Sequence, residues 1–345
     1  MSFSERSNFE AIIWLSFGGP NGPSEVMPFL ENVTAGRNVP RQRLEKVAEQ
    51  YMIFGGKSPI NDQNRELIEK LHSELESRSI GLPIYFANRN WSPYLSEVVN
   101  ELRLAGVKSA LAFVTSAYAS YSGCRQYRQD IQKAVDQLAP GLYVHKIRHY
   151  YSHPGFVGTL VESTRSLVKE LAASGEHKIA ILCSAHSIPL TMSLSSEYLS
   201  QLLSVKEAIR VAIDELGLSR IPVDIVFQSR SGPPSEPWLE PDINDTLTEC
   251  TQSGVDTVVV VPIGFVSDHM EVLYDLDIQA AKTAKDLGID LYRIPTVSKN
   301  DAFISMVADL IQEQIEPSYH APTYPGMQIP KDSCQVNCCL EAKPQ

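Results

Sequence analysis

Long hydrophobic runs are missing from this chain: the longest reach about ten residues, half of what a helix needs to cross a bilayer. The opening Met-Ser-Phe-Ser-Glu-Arg-Ser lacks the charged and apolar regions of a secretory leader, so the expected location is the cytoplasm. In that compartment the six cysteines are expected as thiols or metal ligands, not disulfides. Positive charge is also short. Against 41 Asp and Glu stand 30 Lys and Arg, for a net charge of -11 and a pI near 5.3, the wrong balance for a surface that grips nucleic-acid phosphates. A phosphate-binding loop is missing too, because Gly55-Gly-Lys-Ser-Pro59 lacks the second glycine spacing of that motif. What remains is an ordinary globular composition, 43% hydrophobic and 21% charged, enough for one large core or two joined ones.

Short β-branched apolar stretches alternate with longer amphipathic ones. The pattern predicts strands near 10–16, 83–88, 109–115, 142–148, 178–184, 222–228, 256–263 and 289–293. Between them it predicts helices near 41–51, 62–79, 92–104, 122–138, 155–174, 195–216, 241–252, 268–286 and 301–315. Alternating strand and helix implies an α/β protein with parallel sheets covered on both faces. The strand ends echo one another in order. Trp14-Leu-Ser-Phe-Gly-Gly-Pro20 parallels Leu182-Cys-Ser-Ala-His-Ser-Ile-Pro189, Tyr85-Phe-Ala-Asn-Arg89 parallels Val226-Phe-Gln-Ser-Arg230, and Val114-Thr-Ser parallels Val261-Pro-Ile-Gly-Phe-Val-Ser267. This suggests two similar Rossmann-like, doubly wound halves, 1–150 and 151–320, with an interlobe cleft and a Cys-rich tail at 321–345.

Two strand ends deliver chemistry. After the apolar run 256–265, Ser267-Asp-His-Met-Glu-Val-Leu-Tyr-Asp-Leu-Asp277 reads as a helix capped by Ser267 or Asp268, with capping-box spacing to Glu271. At 100° per residue, Asp268, Glu271 and Asp275 fall within an arc of roughly 60°. Helix dipole explains acids in the first turn but not Asp275. The second strand end presents His186, which alone reads as a turn residue and which beside a carboxylate ladder can accept protons or coordinate a borderline metal. Residues 21–43 combine Val26, Met27, Phe29 and Leu30 with Arg37, Arg41 and Arg43. That lip suits a flat apolar ligand carrying carboxylates, or equally a helix with solvated arginines.

Six collinear segments over about residues 10–315 resemble the signatures of ferrochelatase. They are Phe17-Gly-Gly-Pro20, Glu49-Gln-Tyr-Met-Ile-Phe-Gly-Gly-Lys-Ser-Pro-Ile60, Asn88-Arg-Asn-Trp-Ser-Pro93, Ser184-Ala-His-Ser-Ile-Pro189, Phe227-Gln-Ser-Arg-Ser-Gly-Pro-Pro234 with Pro237-Trp-Leu239, and Phe265 to Asp277. The resemblance implies a lyase of haem biosynthesis that inserts Fe2+ into a porphyrin held between two lobes. It implies His186 and Glu271 as the catalytic, iron-binding pair, with Asp268 and Asp275 along an iron or proton path. Porphyrin contacts are expected from Phe17, Arg37, Ser58, Arg89, Tyr118 and Trp238. Some relatives carry tyrosine or methionine at the Phe17 position, and phenylalanine offers no ligand there.

The chemistry asks for these residue types. Insertion removes two pyrrole protons and strips water from the cation, so proton acceptors and a labile oxygen-rich metal path serve it better than a thiolate cage. Substrate choice between protoporphyrin IX and coproporphyrin III stays open, and Thr34-Ala-Gly-Arg37-Asn-Val-Pro40 resembles the coproporphyrin-using branch. The competing readings are a tetrapyrrole or iron carrier without chemistry and a related cobalt or nickel chelatase. Monomer, homodimer and peripheral membrane contact are all left open.

Near its end the chain carries Cys334, Cys338 and Cys339, and a four-thiolate site needs one more, for which Cys124 is the best placed. By resemblance to ferrochelatases with one internal and three carboxy-terminal cysteines, a [2Fe–2S] cluster is expected there. Zinc, or a tail without ligand, are the alternatives. Cys183 and Cys250 read as buried thiols.

Overall fold

The structure, a computed structural model, describes residues 8–36, 39–232, 235–331 and 337–342. Eight strands form where the apolar runs are: β1 Ala11–Ser16, β2 Ile84–Asn88, β3 Ser109–Val114, β4 Tyr143–Lys146, β5 Ile179–His186, β6 Val223–Gln228, β7 Thr257–Val261 and β8 Asp290–Arg293. All pairings are parallel. They build two four-stranded sheets of the same order, β2-β1-β3-β4 and β6-β5-β7-β8. The expected duplication of an α/β unit is therefore present in the topology.

Central strands of each sheet are the most apolar, as burial on both faces requires. Every residue of β1 and of β7 is buried. In the first sheet, Ala11, Ile13 and Leu15 pack with Val98, Val99 and Leu102 from helix Leu95–Leu104 and with Ile131 and Val135 from helix Gln126–Leu138. The second sheet repeats this, with Leu182, Val258 and Val260 against Ile243, Leu247, Val272 and Leu276. A smaller cluster of Val26, Phe29, Leu30, Leu44 and Ala48 joins helix Pro23–Val33 to helix Arg41–Ile53, so the lip predicted around residues 21–43 is in large part a helix pair.

The residues gather into two compact units that do not follow a single cut near residue 150. The first takes in the chain to Thr115, Gln126–Ile147 and Val307–Ala321, and the second Ser116–Arg125, Arg148–Met306 and the chain from Pro322. The end of helix Asp301–Ile315 is held within the first unit by Arg78, whose guanidinium pairs with Asp309 at 2.6 Å and Glu74 at 2.7 Å. An exchange of this kind depends on contacts distant in sequence, which periodicity does not register.

Among the described residues, three stretches wind as π-helix, Tyr121–Arg125, Pro154–Gly158 and Leu273–Ala280. The i→i+5 winding recurs at functional sites. A 3.6-residue pattern extends through each of them, which is why the sequence predicts plain α-helix over 122–138, 155–174 and 268–286.

Candidate active site

The second unit carries the expected cluster at the carboxyl edge of its sheet. β5 ends at His186, in register with Gln228 at the end of β6. The imidazole Nδ1 is hydrogen-bonded to the Ser187 carbonyl oxygen. A carbonyl only accepts, so Nδ1 carries the hydrogen, and in the neutral form of the ring the lone pair is at Nε2. Nε2 faces Glu271 Oε2 at 3.6 Å. The main chain at this point is fixed as well, since the Tyr198 hydroxyl donates to the His186 carbonyl at 3.0 Å and Ser187 Oγ donates to the Leu239 carbonyl at 2.7 Å.

Glu271 stands where it does because of a cap that the sequence reading missed. The helix begins at Met270, and His269 is its N-cap, with Nδ1 accepting from the Glu271 N–H at 3.2 Å. Burial holds His269 below the ordinary imidazole range, which suits a ring nitrogen that must accept. Ser, Asp and Asn dominate N-caps, so Ser267 and Asp268 drew the expectation. His269 holds the N-cap position in their place.

This corrects the three-carboxylate face. Asp268 precedes the helix and is spent on Arg293, whose Nη1 donates to Asp268 Oδ1 at 3.0 Å and whose Nε and Nη2 hold Asp277 at 2.6 and 2.8 Å. Both Asp268 and Arg293 side chains are largely buried, 13% and 14% exposed. An ion pair so placed fixes the loop into the helix. Glu271 and Asp275 do share a side, being four residues apart along the helix.

Asp275 is the more enclosed of the two carboxylates, and burial raises its pKa to about 6. Ser229 Oγ donates to its Oδ2, and Gln228 Nε2 approaches the same oxygen at 3.4 Å. Neither partner was picked out from the sequence, although both lie in the quoted Phe227-Gln-Ser-Arg segment. The loop after β7 reaches β5 only because residue 264 is glycine: a Cβ there would meet Ala185 Cα at 2.7 Å.

The remaining expected contact residues divide. Trp238 is half-buried, forms an antiparallel bridge with Pro189 just past His186, and donates from Nε1 to Glu236 at 3.1 Å. Tyr118 is buried, with its hydroxyl on the Ile263 carbonyl at 2.7 Å and its ring stacked on Tyr151. That makes it scaffold of the second unit instead of an exposed wall. In the first unit Phe17 is 39% exposed, edge-on to Phe29, and Ser58 is buried beside Gly19. Arg89 pairs with Asp130 at 2.5 Å and lies over the Tyr127 ring, so its charge is already matched inside that unit. Arg37 lies outside the described residues.

Cys124 and Cys339 are buried and Cys338 is half-buried, all three in the second unit. Arg125, next to Cys124, donates to the Cys338 carbonyl at 2.7 Å, and the Cys339 N–H donates to the Ser195 carbonyl at 2.8 Å. Cys334 lies outside the described residues. Among the described residues, no group of three or more His, Cys, Asp or Glu side chains stands close enough together to hold a metal ion. Burial pushes the Cys183 thiol up to about 12. No helix among the described residues is long and apolar enough to cross a membrane.

Residues 9–315 match the family description Ferrochelatase. A coproporphyrin III ferrochelatase of Frankia alni is 46% identical over 96% of this chain and 86% of its own length. A ferrochelatase of Rhodopirellula baltica is 42% identical over 98% of this chain and 95% of its own. A coproporphyrin III ferrochelatase of Streptomyces coelicolor is 42% identical, covering 99% and 96% respectively. The chain belongs to the ferrochelatase family.

Proposed function

We propose that the chain inserts Fe2+ into coproporphyrin III as a lyase of haem biosynthesis, with His186 and Glu271 taking the pyrrole protons and handing over the iron. Insertion exchanges two N–H protons for one dication, so the protein must accept protons and hold iron loosely in the same place. The observation that carries the reading is the facing pair, His186 Nε2 and Glu271 Oε2 at 3.6 Å, with the imidazole tautomer set by the Ser187 carbonyl. Two acceptors that face each other call for a proton or a cation between them. One nitrogen and one oxygen donor bind a borderline dication more loosely than thiolates do, which favours release to the ring.

Asp275 extends the site inward as a second proton or iron station, and its raised pKa suits a group that takes up a proton near neutral pH. Asp268, matched by Arg293, serves to hold the entry to the helix. Trp238 is an aromatic wall in this reading, and Phe17 and Arg37 are carried as porphyrin contacts by the ferrochelatase resemblance alone. Coproporphyrin III is favoured over protoporphyrin IX by the names of the Frankia and Streptomyces relatives and by the segment from Thr34 to Pro40. Steady-state insertion with the two porphyrins, purified protein and anaerobic Fe2+ tests the choice. A higher kcat/KM on coproporphyrin III supports it, and a preference for protoporphyrin IX overturns it. Absence of insertion on both would return the chain to the carrier reading, and insertion of Co2+ or Ni2+ alone to the other chelatases.

The same reading gives the chain a [2Fe–2S] cluster on Cys124, Cys334, Cys338 and Cys339. It is supported by the tail being fastened beside Cys124 through Arg125, and by the left-handed backbone of Cys339, φ 51°, which breaks the extended course in which neighbouring side chains diverge. When bound, the cluster would supply a one-electron redox centre and a covalent tie for the tail. Iron and sulfide analysis with electron paramagnetic resonance on the reduced protein tests this, and a Cys124→Ser variant that keeps full sulfide content would refute the ligand set. Cytoplasmic location, with porphyrin and ferrous iron as the partners, completes the proposal.

A further inference from the structure

The end of β6 links the two halves of the candidate site. The Gln228 carbonyl accepts from the Ser187 N–H at 2.8 Å, one residue past the imidazole, while its side-chain amide approaches Asp275 at 3.4 Å. Gln228 is 2% exposed, and its Oε1 has no hydrogen-bond partner among the described residues. A buried acceptor left without a donor is costly. Water on a hydrated cation, or a protonated carboxyl, carries the kind of donor it lacks.

The next residue, Ser229, sits at φ 62°. That is the left-handed region, which residues bearing a Cβ occupy at a cost and glycine occupies freely. A serine there gives up stability that glycine would keep, and what the serine adds is a hydroxyl, which donates to Asp275 Oδ2. Backbone strain of this kind is retained where the side chain it presents has a task.

We propose that Gln228 and Ser229 are positioning residues for Asp275, holding its carboxyl in one rotamer and tying it to the backbone that carries His186. Iron or a proton then passes between the His186–Glu271 pair and Asp275 without the carboxylate having to reorient. The inference rests on the reading above that Asp275 takes part in insertion.

Ser229→Gly separates the two roles of the residue, because it relieves the backbone and deletes the hydroxyl. The variant is expected to melt at or above the wild-type temperature while kcat for Fe2+ insertion falls about tenfold, as for a displaced reacting group, with KM for porphyrin unchanged. Its crystal structure should show the Asp275 carboxyl turned away from Gln228. In an Asp275→Asn background the same substitution should have no further effect on kcat. An unmoved Asp275 in the crystal, or an equal loss of kcat in both backgrounds, overturns the proposal. A turned carboxyl with wild-type turnover upholds the positioning role and removes Asp275 from the reaction.

Discussion

Replacing Asp275 by asparagine should make the protein more stable above neutral pH and slower at its chemistry. Burial raises the carboxyl pKa to about 6 from an ordinary value of about 3.9. The folded state therefore binds this proton more tightly than the unfolded chain does. Stability contributed by the group is complete below the unfolded value, declines as pH rises between the two, and is gone above the folded one. A shift of about two units corresponds to at most about 3 kcal/mol at pH 8. Asparagine keeps the shape and an oxygen that can accept from Ser229, but carries no charge to desolvate. Urea unfolding of wild type and Asp275→Asn at pH 4 and pH 8 reads the effect directly. The two proteins should be alike at pH 4 and differ by roughly 2–3 kcal/mol at pH 8, in favour of the variant. Parallel stability curves across that range would show that Asp275 is not held against ionisation.

Arg293→Met should remove the guanidinium that pairs with Asp268 and Asp277 and destabilise the second unit by about 3–5 kcal/mol, measured by chemical denaturation; Asp268→Asn should cost clearly less, and equal losses would contradict the ion-pair role. Gly264→Ala should drive a Cβ against the Ala185 backbone, costing about 1–3 kcal/mol and lowering insertion more than porphyrin affinity, because β5 carries His186. A variant with unaltered melting and turnover would mean that the close approach carries no consequence.

Much of this was legible in the sequence because burial on both faces of a parallel sheet demands unbroken apolar runs. All eight strands lie where those runs predicted them, β1 and β7 most plainly. The strand-end His186 and the carboxylate run were legible from the residues, whereas Glu271 was singled out as the partner of His186 only by the ferrochelatase resemblance. The rest was hidden for physical reasons. Asp268 finds its partner in Arg293, 25 residues away, and nothing in local spacing announces that bond. An imidazole can cap a helix through a ring nitrogen that accepts, as His269 Nδ1 does from the Glu271 N–H, which moved the helix start past the expected Ser267 or Asp268. π-Winding at Leu273–Ala280 preserves an apolar rhythm and so reads as plain α-helix in the sequence. Arg89 and Tyr118 showed why a residue at a strand end is not thereby a ligand contact, since Asp130 and the Ile263 carbonyl already engage them.

The central claim is that His186 and Glu271 act as one unit that exchanges protons for iron. Anaerobic Fe2+ insertion by His186→Ala and Glu271→Gln, with porphyrin affinity followed separately by fluorescence quenching, tests it most directly. The account predicts that each variant binds porphyrin within a few-fold of wild type and loses insertion by a factor of about 100 or more. Wild-type turnover in either variant would contradict it.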